Sequence, residues 1–202
     1  VWDHLERAAD RPQNDAPQTT CKHFETIIGN NAVAVRAAAA AAQRMGYQVC
    51  AEPACDLEGE AEDVGAALAM RALEMRSGKL DYQCLISGGE PTVALAPAEI
   101  RGRGGRNQQL VAAAWAWLCE HADVSGLALL SGGTDGEDGP TDAAGAWISA
   151  TNVGATPREI LDHLLRSDTY HLFQRTGGLL RTGPTHTNVC DVRVVLVGDD
   201  NL

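Results

Sequence analysis

A short apolar run, Gly126-Leu127-Ala128-Leu129-Leu130, leads directly into Ser131-Gly132-Gly133-Thr134-Asp135-Gly136-Glu137-Asp138-Gly139-Pro140-Thr141-Asp142-Ala143-Ala144-Gly145-Ala146. A run of that length reads as a buried strand. The small residues beyond it read as a helix from Thr141 to Ser149, capped by Thr141 or Asp142. Strand, Gly- and Asp-rich loop, then helix is where α/β proteins place ligands. Gly132, Gly133, Gly136 and Gly139 would let the backbone approach a ligand closely. Asp135, Asp138 and Asp142, with Glu137 as a fourth, crowd enough carboxylate together to call for a cation, an arginine or a substrate hydroxyl. A solvated surface turn is the competing reading, because Asp and Gly are ordinary turn residues.

Two further loops share this style. Ser87-Gly88-Gly89-Glu90-Pro91-Thr92 follows the apolar Cys84-Leu85-Ile86, and Gly102-Arg103-Gly104-Gly105-Arg106-Asn107-Gln108-Gln109 soon leads into the apolar Leu110 to Leu118. Thr182-Gly183-Pro184-Thr185-His186-Thr187-Asn188 precedes the strand-like Val192 to Val197. Several such loops at element ends suggest convergence on one site.

The rest of the chain reads as α/β. Residues 1–20 form an irregular or partly helical lead-in, broken by Pro12 and Pro17. Phe24 to Ile28 reads as a strand. Asn30 or Asn31 caps an Ala-dense helix to Met45, which Gly46 ends. Tyr47 to Ala51 is a second strand and Glu60 to Arg76 a second helix. This βαβα order predicts parallel strands. Ser77-Gly78-Lys79 reads as a linker, dividing the chain at 78/79. Beyond it come strands Gln83 to Ser87 and Thr92 to Ala96, paired antiparallel across Pro91. Helices follow at Asn107 to Glu120, Arg158 to Leu165 (with Pro157 leading in) and Ser167 to Gln174. Asp191 to Val197 closes as a strand. Asn107 would cap its own helix.

Composition removes several classes. A formal charge of −11 argues against nucleic acid and anionic membranes as partners. Local arginines must then hold any anionic substrate, and all basic residues except Lys22 and Lys79 are arginine. No stretch is long and apolar enough to span a bilayer, and no secretory pattern opens the chain. The six cysteines show no zinc spacing, which favours free thiols and a cytoplasmic setting. There is no GxxxxGK[ST] and no GxGxxG, so a dinucleotide-binding dehydrogenase is unsupported.

Taken in order, Ser87 to Val93, Gly102 to Gln109, Ser131 to Ala146 and Thr182 to Val189 resemble the class II glycerate kinases, and within them the MOFRL domain. That family carries SGGEPTV, GRGGRNQE, SGGTDG-x-DGPTDAAGA and TGPTGTNV. The resemblance runs from Asp81 to Val197 and extends more weakly upstream. Here Gln109 replaces Glu, Glu137 replaces an apolar residue, and His186 replaces a glycine. The resemblance implies a mixed sheet with flanking helices over 79–202, preceded over 1–78 by two βα units of an incomplete Rossmann-like domain. It implies transfer of the ATP γ-phosphate to D-glycerate, with Mg²⁺, giving 2-phosphoglycerate. The chain alone is expected to be inactive, for lack of the family's remaining N-terminal domain.

Arg106 and Asp135 are the expected catalytic pair. Ser87, Gly88, Gly89, Glu90, Arg103, Asn107, Thr134, Thr185, Thr187 and Asn188 are the candidate substrate- and nucleotide-binding residues. Asp138 and Asp142 are the candidate metal ligands. A non-catalytic domain that binds a small acid or a partner is the alternative, and self-association is left open.

Overall fold

The computed structural model describes Trp2, Lys22 and residues 24–198, so the expected lead-in lies outside the described residues except at Trp2. The strands are β1 (Val49–Glu52), β2 (Cys84–Gly89), β3 (Leu127–Gly133), β4 (Gly145–Ser149), β5 (Leu179–Leu180) and β6 (Asp191–Val197). They form one mixed sheet in the order β1-β2-β6-β3-β4-β5. Only β1 and β2 pair in parallel. The last strand, β6, is inserted antiparallel between β2 and β3. The helices are α1 (Asn31–Arg44), α2 (Ala61–Arg76), α3 (Arg106–His121), α4 (Pro157–Leu165) and α5 (Thr169–Thr176).

Local chemistry explains the helices. Asn30 accepts the Val33 N–H at 3.1 Å and starts α1, and Gly46, at φ 96°, follows its end. Thr156 and Glu159 form a reciprocal capping box on α4, with Pro157 in the first turn. In α2 the buried Ala61, Gly65, Leu68, Ala72 and Met75 make one stripe. Gly65 brings α2 against α3, because a Cβ there would stand 2.2 Å from the Leu110 carbonyl oxygen.

The two sheet faces have different covers. Leu85, Leu129, Ile148 and Val195 join Leu68, Leu110, Trp115 and Phe173 in the larger core, built with α2 and α3. Cys84 and Ile86 turn the other way and meet Val35 and Ala39 of α1. On β6, Asp191, Arg193, Val195 and Val197 are buried while Val192, Val194 and Leu196 are half-buried toward α1. A period of two therefore places two charged residues on the α2/α3 face. Burial also pushes the Cys84 thiol up to about 11. Cys50, Cys55, Cys84, Cys119 and Cys190 are all free thiols.

Several expectations are corrected. Phe24 to Ile28 forms no strand; Phe24, Ile27 and Ile28 are exposed. Of the two upstream βα units, the described residues therefore carry only the second strand. The expected 78/79 division, by contrast, is not overturned; it lies in the crossover between the parallel strands β1 and β2. Thr92 to Ala96 is not a strand: Thr92 makes a single parallel bridge to Glu60, and β6 takes the antiparallel place beside β2. The segment expected as a helix from Thr141 is instead β4, paired with β3 and with β5. Its Gly-Ala-Trp-Ile-Ser run fits that place because a Cβ on Gly145 would stand 2.0 Å from the Ser131 carbonyl oxygen.

Candidate active site

The glycine-rich loops leave the sheet at one end: the end of β2, the end of β3, the start of β6 and the start of α3. Arg106, in the first turn of α3, is held there by two carboxylates. Its Nε and Nη2 donate to Asp191 Oδ2 and Oδ1 at 2.7 and 2.8 Å, and Nη1 stands 3.2 Å from Glu90 Oε1. Asp191 is fully buried, whereas the Arg106 side chain keeps 30% of its exposure. This two-point contact fixes the guanidinium plane and strengthens its hold on the proton. Removing Arg106 would strand the buried Asp191 carboxylate, at a cost of about 3–5 kcal/mol, whereas Arg106 without Asp191 keeps some exposure and its contact with Glu90.

Asn31, at the start of α1, fastens the same corner. Its Nδ2 donates to the carbonyls of Val189 and Asp191, and its Oδ1 accepts the Ala54 N–H at 2.9 Å. A Cβ on Gly88 would collide with that side chain, which explains this glycine without any ligand.

Asp138 is 2% exposed and faces inward. Its Oδ1 accepts the Asn107 backbone N–H and Nδ2, and its Oδ2 accepts the Gln108 backbone N–H and Nε2, all between 2.9 and 3.2 Å. A carboxylate offers about four acceptor positions, so all are used by the protein. Asp138 is thus the anion at the N-terminus of α3, supplied from another loop. Burial pushes its carboxyl upward, with the four N–H donors pulling against that. Gly105 makes room for it. Asn107, expected as a cap, is inside the helix, and Gly105 holds the cap position. Asn107 Oδ1 instead receives the Ser131 hydroxyl, tying α3 to β3.

Asp168 performs the matching task from the other side. Its Oδ1 accepts the Arg103 N–H at 3.0 Å and pairs with His171, while Oδ2 meets Arg166 and His163. Burial raises its carboxyl, but the Arg103 N–H, His171 and Arg166 outweigh that and hold it below the ordinary carboxylate range. Gly102 and Gly104 lie against Asp168 and Thr169. The Gly102–Arg106 loop is therefore gripped between two internal carboxylates.

Asp135 is different. It is half-buried, with Oδ2 accepting Asn188 Nδ2 at 3.0 Å and Oδ1 accepting the Glu137 N–H at 3.1 Å. It lines an open cleft with Glu137, Pro184, His186, Thr187 and Asn188. It also stands close to the Arg106 cluster. A Cβ on Gly133 would be 2.8 Å from Asp135 Oδ1 and 3.6 Å from Asp191 Oδ1.

The 182–188 loop is fixed to this corner. Thr185 N–H donates to the Asp135 carbonyl and its hydroxyl to the Thr134 carbonyl; Thr134 Oγ1 donates to the Cys190 carbonyl. His186 adopts φ 60°, a left-handed backbone that glycine takes freely.

The structure thus brings Glu90, Arg106, Asp135, Thr187 and Asn188 to the open side of the corner. It spends the polar atoms of Asn107, Thr134 and Thr185 on holding loops. Arg103 lies over the Tyr170 ring, at 4.7 Å, and donates to the Pro140 carbonyl. Ser87, Gly88 and Gly89 are buried on β2.

Of the two expected metal ligands, Asp138 has its acceptor positions filled by α3, and the exposed Asp142 accepts Tyr170 Oη at 2.7 Å and Arg181 Nε at 3.0 Å. Among the described residues no group of three His, Cys, Asp or Glu side chains could hold a metal ion, and no helix is long and apolar enough to cross a membrane. Sequence reasoning missed Asp191, Asn31 and Asp168 as organisers. Asp191 had one signal, an acid opening a strand that is apolar apart from Arg193.

The MOFRL family model matches residues 83–191. The chain is 38% identical over 182 residues to a protein of Agrobacterium vitis provisionally named a hydroxypyruvate reductase, covering 85% of this chain and 40% of that protein. It is 33% identical over 227 residues to the glycerate kinase of Macaca fascicularis, covering 88% of this chain and 56% of that enzyme. The crystal structure of glycerate kinase from Thermotoga maritima matches with a TM-score of 0.74 at 31% identity, over 98% of this chain and 49% of that one. The chain thus spans between two fifths and just over half of the length of these relatives. The chain belongs to the MOFRL family, as a C-terminal portion of the glycerate kinase family.

Proposed function

We propose that this chain forms the C-terminal part of a cytoplasmic kinase that transfers the ATP γ-phosphate, with Mg²⁺, to D-glycerate, giving 2-phosphoglycerate. The observation that carries the reading is the corner itself. An arginine fixed by Asp191 and a half-buried carboxylate, Asp135, flank one glycine at the open end of the sheet. Phosphoryl transfer asks mainly for positioning and charge stabilisation. Arg106 supplies a preset guanidinium for a carboxylate or phosphate, through the Nη1 edge that faces half-exposed Glu90. Asp135, oriented by Asn188, accepts or aligns the proton of the acceptor hydroxyl. Thr187 and Asn188 border the same cleft. The oxygens of Asp138 are filled by α3, so of the two carboxylates only Asp142 has acceptor capacity left for Mg²⁺.

The region that the longer relatives possess beyond this match would complete the site. Phosphoglycerate formation should therefore be absent with residues 1–202 and present when the chain is joined to that region, measured with ATP, Mg²⁺ and D-glycerate. ATP-dependent turnover by residues 1–202, or none by the longer protein, would reject the proposal.

The name carried by the Agrobacterium relative supports a second reading, reduction of hydroxypyruvate. It requires a nicotinamide site, and GxGxxG is absent from the sequence. Micromolar NADH or NADPH binding by calorimetry would favour it.

A further inference from the structure

A separate cavity of about 380 Å³ opens between α2, the 52–58 segment and the β2/β6 pair. Pockets of roughly 300–1,000 Å³ suit small ligands. Its floor carries Ser87 and Arg193, which are direct cross-strand partners. Such partners project from one face with Cβ atoms about 4.5–5.5 Å apart. Ser87 is 8% exposed and Arg193 is 2% exposed. Arg193 gives Nη1 and Nη2 to Glu58, yet its Nε–H has no partner, and neither does the Ser87 hydroxyl. Buried donors are rarely left unmade, so two side by side at a cavity floor mark a place for an acceptor.

Acceptors stand nearby. Glu58 holds Arg193 and Glu52 holds Arg71, and both glutamates line the cavity. Both Glu58 oxygens and Glu52 Oε2 take one donor each and retain a further lone pair, while Glu52 Oε1 is shared by Arg71 and the Cys50 thiol. Val64, Ala67 and Leu68 supply an apolar wall. The carboxylates of Glu52, Asp56 and Glu58 outnumber the guanidiniums of Arg71 and Arg193, which disfavours an anion in the cavity. A flat, neutral heterocycle with ring acceptors and an exocyclic amine matches this arrangement of donors, acceptors and apolar wall. Asp191, which holds Arg106, lies two residues from Arg193 on the same face of β6, about 6.8 Å along the strand. A ligand seated in the cavity would have its exit toward Gly88, Gly89 and Glu90, beside Arg106.

We propose that this cavity seats an aminopurine base, with Ser87 and Arg193 donating to its ring nitrogens and Glu52 or Glu58 accepting from its exocyclic amine. The inference rests on the nucleotide-using reading above and names where the nucleoside end binds.

Adenosine, which carries no phosphate, is the probe. Titrated into the 202-residue chain, it should shift the amide resonances of Ser87, Leu68 and Arg193 saturably. Ser87→Ala should weaken binding on the order of three- to tenfold, the loss of one hydrogen bond. It should hardly change Tm, because the hydroxyl has no protein hydrogen-bond partner. Ala67→Leu, at an exposed position on the apolar wall, should block binding with the fold intact. Inosine, which lacks the amine, should bind several-fold more weakly.

No saturable shift, or equal affinities for the wild type and both variants, would overturn the site. Equal affinity for inosine and adenosine would overturn the role given to the glutamates. Adenosine binding here by a longer protein that makes no phosphoglycerate would keep the site and remove the kinase reading. Kinase activity untouched by Ala67→Leu would do the reverse.

Discussion

Asp135 and Asp138 stand three residues apart in one loop and have opposite surroundings. Asp138 is closed off, with four N–H donors from α3 filling its oxygens. Asp135 is tied by one amide and one turn N–H, and borders an open cleft. The first carboxylate builds the loop and the second is presented by it. A cluster of acids in a glycine-rich loop therefore need not be one site. The glycines divide in the same way: Gly105 makes room for Asp138, while Gly133 lies between Asp135 and Asp191.

The contrast can be broken most sharply at Asp135. In the longer, catalytically complete protein, Asp135→Asn should lower kcat by about 10²–10⁴-fold with a smaller change in KM. Stability should hardly change, since only two exposed-side hydrogen bonds are touched. Near-normal kcat in folded protein would return Asp135 to a turn role. Asp138→Ala should behave oppositely. It uncaps α3 and strands buried N–H groups, so urea unfolding should show a loss of about 3–4 kcal/mol. If Asp135→Ala costs as much, the two carboxylates are not distinct.

Asp168 sharpens the comparison, because it grips the same loop from the other side. Its carboxyl lies below its ordinary range in the folded protein. A depressed folded value means that its contribution is present above the unfolded value, about 3.9, and is lost as pH falls through the folded value. Thermal melts should therefore show Tm falling on acidification below pH 5. Asp168→Asn should cost about 1.5–3 kcal/mol at neutral pH and flatten that acid limb. An unchanged acid limb in the variant would show that other carboxylates carry it.

The smallest effect is expected at His186. Its left-handed backbone costs an L-residue about 1–2 kcal/mol, but a glycine there adds about 0.5–1 kcal/mol of unfolded-chain entropy. His186→Gly should leave Tm within a few degrees. A larger rise would show that the loop carries more strain than one torsion explains.

Much of the scaffold was legible from the chain. The Asn30 cap, the alanines and Gly46 delimit α1; Thr156-Pro157 opens α4; the apolar runs before Ser87-Gly88-Gly89 and Ser131-Gly132-Gly133 are strands. These signals act within a few residues of one another. Gly145 to Ser149 was misread because small residues favour a helix locally, while pairing on both sides makes the segment a strand. Phe24 to Ile28 has the composition of a strand and no strand beside it among the described residues.

The sequence by itself determined where loops must turn, which helices begin and end, and that Arg106 and Asp135 sit at loop ends. Only the tertiary structure decided what those side chains meet. Arg106 finds Asp191 85 positions away because β6 enters the sheet between β2 and β3. Asp138 reaches the N-terminus of α3 across 31 positions because the loop after β3 folds back over Gly105. Capping and periodicity are short-range and are written into neighbouring residues. The partner of a buried charge is set by strand order, which no local pattern encodes.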